Sequence, residues 1–226
     1  MTSTAILIPA RFASTRFPGK PLTLLDSVPM IKRVYDTCIE SGLDTYVLTD
    51  DWSIAQLFDN NTCRVDGTDY QNGTERCAGA LKLIRKYDQY INVQGDMPDV
   101  TQDMIEKTVR HLNHYQITTM FTKMDTELQN DPNTVKMVRS GDKALWFARG
   151  MTGYGEHHLG IYGYKRDVLK WYPTLDVTEE ETVEQLEQLR WLKAGYNVGC
   201  LHTEFNGLEI NTPEDVEKWY NNSCIK

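Results

Sequence analysis

The sequence predicts an α/β fold: a mainly parallel central sheet with helices on both faces and extra mixed or antiparallel strands in the second half. Three observations lead there. Apolar runs of strand length alternate with amphipathic helical stretches through the first half, the pattern of a parallel sheet. Those early runs end in small, charged or turn-forming residues, and open α/β sheets hold ligands beyond such strand ends. Past residue 113 the short apolar runs follow one another with few helices between, which favours antiparallel or mixed pairing.

The first run, residues 5–8, is too short for a helix and reads as a buried strand. Residues 29–41 carry helical apolar spacing at Met30, Val34, Cys38 and Ile39, with Pro29 at the start and Gly42 past the end. A strand at 45–49 and a helical piece at 52–58 follow. Residues 74–87 read as a helix with Thr74 as N-cap. A strand at 90–94 and a helix at 99–113 complete the first half. Strands are expected at 117–122, 134–138, 144–147 and 159–164, with a loop at 130–133 and a short helix at 168–172. Residues 179–194 read as one helix burying Val183, Leu186, Leu189 and Trp191 or Leu192. A strand at 198–202 and a helix at 213–219 close the chain. Linkers, repeats and low-complexity runs are absent, so residues 1–226 are expected to form one domain.

Composition removes several function classes. The chain has 226 residues, 32 acidic against 24 basic side chains, and a formal charge of −8, which argues against a general nucleic-acid binder. The five cysteines are scattered and never spaced C-x-x-C, so neither a zinc site nor a disulfide framework is expected, and a reducing cytoplasm is the expected location. No run reaches the length of a membrane span, and residues 1–4 do not make a signal peptide.

Against that acidic background, Arg11, Arg16 and Lys20 crowd into ten positions with Ser14, Thr15 and Gly19 between them. Arginine forks, a lysine point charge and small residues that expose backbone N–H groups suit a polyphosphate. The spacing is not G-x-x-x-x-G-K-[ST], so a Walker-type ATPase is a poor fit. At the next strand end, Thr49-Asp50-Asp51 caps a helix or reads a nucleobase. At the third, Asp96 in Gln94-Gly95-Asp96 either opens a turn or holds Mg²⁺ together with substrate phosphates. His158 alone reads as a core histidine, Glu184 and Glu187 as exposed helix charges, and one of Tyr162 and Tyr164 as packing only.

The runs I-P-A-R-x-x-S-T-R-x-P-G-K-P-L, N-G-T-E-R (72–76), N-V-Q-G-D (92–96), H-L-G-I-Y-G-Y (158–164), L-E-Q-L-R (186–190) and T-P-E-D (212–215) stand in order along nearly the whole chain. Together they resemble the CMP-Kdo synthetase (3-deoxy-manno-octulosonate cytidylyltransferase) family of lipopolysaccharide biosynthesis. The resemblance implies a Rossmann-like nucleotidyltransferase that transfers CMP from CTP to a 2-keto sugar acid and releases pyrophosphate. Residues 1–113 would mainly bind CTP; residues 114–226 would mainly bind the sugar and are the candidate for a homodimer contact. It implies that Arg11, Arg16 and Lys20 hold the triphosphate, with Arg11, Lys20 and Asp96 the catalytic set. The base is expected to be read by backbone near Ala10, Thr49 and Asp50. Arg76, Gln94, Arg149, His158, Tyr162, Glu184 and Gln188 would line the sugar pocket, and Asp96 and Asn211 would carry Mg²⁺. A different nonulosonic or modified octulosonic acid is the alternative substrate, and a weakened nucleotide-binding homologue the alternative outside catalysis.

Three departures from the family pattern bear on this expectation. Asn211 stands where the family has a second metal-binding Asp, so metal affinity should fall unless Glu209 supplies the charge. The stretch between Arg149 and His158 is short and glycine-rich, which removes potential carboxylate ligands and interface. Met97 stands where the family usually has Glu.

Overall fold

The computed structural model describes residues 2–13 and 17–223. In chain order the strands are β1 (Thr4–Ala10), β2 (Leu24–Leu25), β3 (Val28–Pro29), β4 (Asp44–Thr49), β5 (Cys63–Val65), β6 (Gln89–Val93), β7 (Ile117–Thr122), β8 (Lys136–Ser140), β9 (Lys143–Ala148), β10 (Glu156–Lys165) and β11 (Val198–His202). The helices are α1 (Met30–Glu40), α2 (Trp52–Ala55), α3 (Gly73–Ala80), α4 (Gln102–His111), α5 (Arg166–Trp171), α6 (Glu179–Glu184), α7 (Leu189–Lys193) and α8 (Pro213–Ser223). Among the described residues, nine strands form one sheet in the order β5-β4-β1-β6-β10-β7-β11-β9-β8, and β2 pairs with β3 as a separate ribbon.

Strands β5, β4, β1 and β6 run parallel, as the first-half alternation predicts. The order reverses at β1: β4 lies on one side and β6 on the other. That is the switch point beyond which an open α/β sheet leaves a crevice. The second half is mixed: β10 is antiparallel to both β6 and β7, whereas β11 is parallel to β7. Pairing of β10 with β7 shifts register between Leu159 and Tyr162, a bulge beside the crevice.

Both faces of the sheet are covered. Ile6 and Ile8 of β1 face α1, α2 and α4 through Ile31, Val34, Ile54 and Ile105. Ala5 and Leu7 point the other way, into a core shared with Cys77 of α3, Leu169 of α5 and Leu189 and Trp191 of α7. A third small cluster joins Leu25, Met30, Ile210 and Trp219. It docks α8 on the β2–β3 ribbon, and the Trp219 indole donates to Asp99 at 3.1 Å. This docking carries residues 209–211 to the end of β6, where Ile210 N–H donates to the Asp96 carbonyl at 2.9 Å.

Four local expectations are corrected. The N-cap of α3 is Asn72, whose side chain accepts from Glu75 N–H, while Thr74 lies inside the helix and its hydroxyl pairs with Tyr164. That helix ends at Ala80 and not at residue 87. The single helix over 179–194 is two helices, α6 and α7, separated by Gln185 in the left-handed region (φ 54°). Its helix closes as Gln185 and Leu186 N–H both donate to the Glu181 carbonyl, a capping geometry that usually falls to glycine. Val183, expected inside, is 73 % exposed. The buried ion pair of Arg190 with Glu181 (2.6 Å), extended to Glu75 (2.9 Å), folds α7 back against α6 and α3. Helical spacing of the apolar residues does not register such a break. The three-residue β5 and the two-residue β2 and β3 lie below the length at which periodicity is legible.

The described cysteines, Cys38, Cys63, Cys77 and Cys200, are buried and free. No helix among the described residues is long and apolar enough to cross a membrane.

Gly163 of β10 sits where a Cβ would lie 2.8 Å from Thr118 Cγ2 and 2.9 Å from Leu112 Cδ1, both on buried residues. Gly163→Ala is expected to destabilise the protein by about 1–3 kcal/mol through overpacking. Urea unfolding monitored by circular dichroism measures it, and an unchanged midpoint would refute this account of the β10–β7 contact.

Candidate active site

The crevice at the switch point is a cleft of about 800 Å³ that runs from the ends of β1 and β6 past β10 to α6 and α7. Among the sequence-predicted residues, Ala10, Arg11, Lys20, Arg76, Gln94, Asp96, Arg149, His158, Tyr162, Gln188 and Asn211 all line it. Residues brought from across the chain therefore share one cavity. Arg16, with Ser14 and Thr15, lies outside the described residues.

At the β1 end, Gly19 (φ 70°) turns the chain into a short 3₁₀ turn that presents Lys20. The Lys20 ammonium donates to Asp96 at 2.6 Å. Asp96 follows Gly95, where a Cβ would meet Ile31 Cδ1 at 3.0 Å and the Pro9 carbonyl at 3.2 Å, so the two strand ends approach closely. Asp50 braces the cationic loop: one oxygen accepts from Phe12 N–H at 3.1 Å and the other from the Arg76 guanidinium at 2.9 Å. Thr49 is fully buried and its hydroxyl accepts from Asp51 N–H. Asp51 caps α2 by accepting from Ser53 N–H, the capping alternative for this segment.

The opposite end is built by β10 and the α6–α7 turn. His158 is buried, and its ring is pushed down to about 3, chiefly by burial and then by His157 and Arg149. It is therefore a neutral ring near pH 7, with Nε2 in a hydrogen bond to Thr119 Oγ1 at 3.0 Å. Tyr162 lines the cleft and stacks on Tyr164, ring centroids 5.9 Å apart; Tyr164 lies behind it. Burial raises both phenols well above their ordinary range, so both stay protonated donors. The Gln188 side-chain nitrogen is buried without a hydrogen-bond partner among the described residues, on a residue that lines the cleft. Arg149 leaves the end of β9 and donates to the Asn133 carbonyl at 2.6 Å.

Two glutamates fall elsewhere than the sequence places them. Glu187, whose bland reading is an exposed helix charge, lines the cleft; its carboxylate accepts from Thr74 N–H at 3.0 Å, and burial raises its pKa. Its one signal in the sequence is its place beside Gln188 in L-E-Q-L-R (186–190). Glu184, expected to line the sugar pocket, does not: it sits behind the rim, where one oxygen accepts from Arg149 N–H (2.6 Å) and Gly150 N–H (3.1 Å).

Asn211 lines the cleft, but Glu209 stands nearer the middle of the wall: its oxygen accepts from Gly160 N–H, freed by the β10 bulge, at 2.7 Å. Its carboxyl is pushed up to about 7, first by desolvation and then by the charge of Asp96, against the pull of Arg149 and Lys20. Met97 is fully buried in the core beneath, so its thioether does not take the place of a carboxylate in the cleft. Among the described residues no three His, Cys, Asp or Glu side chains cluster as a metal cage. A wall of two carboxylates and one amide oxygen does fit Mg²⁺, which binds through one or two carboxylates plus phosphate oxygens and water.

Comparison with known proteins decides the family. The cytidylyltransferase family model matches residues 5–198. The chain belongs to the cytidylyltransferase family. It is 38 % identical to a 3-deoxy-manno-octulosonate cytidylyltransferase of Acaryochloris marina over 94 % of each chain. It is 37 % identical to an 8-amino-3,8-dideoxy-manno-octulosonate cytidylyltransferase of Shewanella halifaxensis, over 93 % of this chain and 94 % of that one. Its structure superposes on a CMP:2-keto-3-deoxy-manno-octonic acid synthetase complexed with CTP with a TM-score of 0.89 and 30 % identity, covering 99 % and 98 % of the two chains. An inositol-1-phosphate CTP transferase from T. maritima, at 12 % identity and TM-score 0.73, shares the fold.

The raised Glu209 carboxyl makes a stability prediction. The folded state holds this proton up to about pH 7, whereas the unfolded chain releases it near 4.5, so the folded protein loses stability as pH rises through that window. Glu209→Gln should therefore stabilise the metal-free protein by about 1–3 kcal/mol more at pH 8 than at pH 5, allowing for partial solvent access. Equal gains at both pH values, read by urea unfolding, would contradict the placement of the carboxylate beside Asp96.

Proposed function

We propose that this protein transfers CMP from CTP to the anomeric hydroxyl of 3-deoxy-manno-octulosonate or a close 2-keto sugar acid, with Mg²⁺ as cofactor. What supports this reading is the joining, in one cleft at the sheet's switch point, of the Arg11–Lys20–Asp96 end with the Arg149–Tyr162–Gln188 end. Family membership and the relatives' names set the reaction class.

The sugar's C2 hydroxyl oxygen attacks the α-phosphorus and gives up its proton to water, the bond to the β-phosphate bridging oxygen breaks, and pyrophosphate leaves with that electron pair. No covalent enzyme intermediate is required, so the protein's work is positioning and charge neutralisation. Arg11 and Lys20 neutralise the triphosphate, and Asp50 holds the loop that carries them. Lys20 and Asp96 balance each other's charge at 2.6 Å, which keeps both at the β1–β6 junction where the phosphates would enter. Arg149 supplies the cation for the sugar carboxylate. Tyr162, Gln188 and Glu187 offer two donors and an acceptor to its hydroxyls, and neutral His158 adds no competing charge. Asp96, Glu209 and Asn211 would hold Mg²⁺, which when bound screens the two approaching anions and favours the deprotonated sugar oxygen.

Pyrophosphate release from CTP and Mg²⁺ should be followed with a panel of 2-keto sugar acids that includes 3-deoxy-manno-octulosonate and its 8-amino-8-deoxy analogue. Turnover with one of these is expected; no release with any acid would overturn the reading, and release with a nine-carbon acid alone would move the substrate class. Asp96→Asn is expected to lower kcat by about 10²-fold or more with the thermal midpoint little changed. Survival of turnover in that variant would remove Asp96 from the catalytic set.

A further inference from the structure

Lys136 lies on β8, is fully buried, and takes no place among the groups that line the cleft. Its ammonium donates to two backbone carbonyls, Asp131 at 2.5 Å and Arg149 at 2.9 Å. Burying an ammonium away from water is costly unless its protons are all put to use, and an apolar side chain would fill a strand interior at lower cost. The two carbonyls it joins belong to the two segments that determine where the Arg149 guanidinium lies. One is Arg149's own peptide; the other is the 131–133 turn, whose Asn133 carbonyl receives the guanidinium at 2.6 Å. From the opposite side Glu184 accepts both the Arg149 and Gly150 N–H groups with one oxygen. The Arg149 N–H and carbonyl and the Gly150 N–H are thus each tied to a charged side chain.

This fixing matters because the chain beyond Arg149 has little of its own. The turn to β10 contains Gly150, Gly153 (φ 79°) and Gly155 (φ 106°), and positive-φ glycines impose no preference that would hold an arginine on the rim. Arg149 is also near Lys136, a like charge, while Asp131 and Glu184 supply the opposite sign on either side.

We propose that Lys136 and Glu184 are positioning residues that clamp the backbone of Arg149 and so set the affinity for the sugar acid. The proposal rests on Arg149 receiving the sugar carboxylate. Neither residue touches substrate. They act through the peptide groups of Arg149 and through the carbonyl that holds its guanidinium. A guanidinium displaced by about 1 Å loses the bidentate geometry that a carboxylate needs.

The test is a pair of double-variant cycles on the full chain with CTP, Mg²⁺ and the sugar acid found active. Lys136→Met and Glu184→Ala should each raise the KM for the sugar acid by about tenfold, while the KM for CTP stays within about twofold. Added to Arg149→Ala, neither should raise the sugar KM further by more than about twofold, because the group they position is gone. Glu184→Gln, which keeps an acceptor oxygen, should recover most of the loss. Equal rises in both KM values, or independent multiplication of effects in the double variants, would overturn the clamp. If Lys136→Met does not fold, as its circular dichroism and thermal midpoint will tell, the Glu184 cycle decides alone. If Arg149→Ala leaves the sugar KM unchanged while turnover persists, the carboxylate role of Arg149 fails, a result separate from failure of the clamp.

Discussion

Strand β10 is the constraint on which the molecule depends. It runs antiparallel between β6 and β7 and so welds the parallel first half, which ends in the cationic loop and Asp96, to the second half that carries Arg149 and the α6–α7 turn. Its residues point to three tasks at once. Leu159 and Ile161 fill the core on one side, Tyr162 and Tyr164 stack on the other, and the bulge between them leaves Gly160 N–H to receive Glu209. A regular strand would have used that N–H within the ladder. The irregularity is therefore what ties the C-terminal segment to the cleft.

Charge around the cleft is arranged in compensating pairs that the fold brings together. Lys20 faces Asp96, Arg76 faces Asp50, and Arg190 is shared between Glu181 and Glu75. Pairs of this kind contribute little net stability when desolvation is counted, but breaking one leaves a buried charge uncompensated. Their effect is to hold side chains in fixed places. The pair of Arg190 with Glu181 shows this most clearly, since it keeps two short helices folded together where a single long one would have carried Glu187 and Gln188 away from β10. Conversely, Glu209 carries the same charge as nearby Asp96, and burial together with that charge raises its carboxyl.

The Asn211 departure acquires a physical meaning from this geometry. Asparagine brings an amide oxygen but no charge, whereas Glu209, two residues earlier, brings a carboxylate to the same wall. Beside the glycine-rich stretch after Arg149, the buried Lys136 and Glu184 take up the peptide groups of residues 149 and 150. Both are solutions by contact across the fold, and neither has a motif.

Much was legible in the chain itself because the signals were local. Strands β1, β4, β6, β7 and β11 are apolar runs between turn residues, α1 has its proline and glycine punctuation, and the cationic cluster after Ala10 stands out from an acidic composition. The ordered motifs carried the family and with it most of the cleft's residues. What could not be read depended on contacts that exist only in the folded chain. The break at Gln185 follows from where Arg190 finds Glu181, not from any helix-breaking residue. Asn72 competes with Thr74 for the cap because both are good acceptors two positions apart, and the backbone turn favours the earlier one. Glu184 and Glu187 share a composition and a neighbourhood; only the left-handed residue between them sends one to the backbone of Arg149 and the other into the cleft. Sequence alone determined most of the longer elements and the chemistry they carry, since both are written in short-range pattern. The tertiary structure decided which carboxylate does what, because burial and opposing charge are properties of the assembled fold.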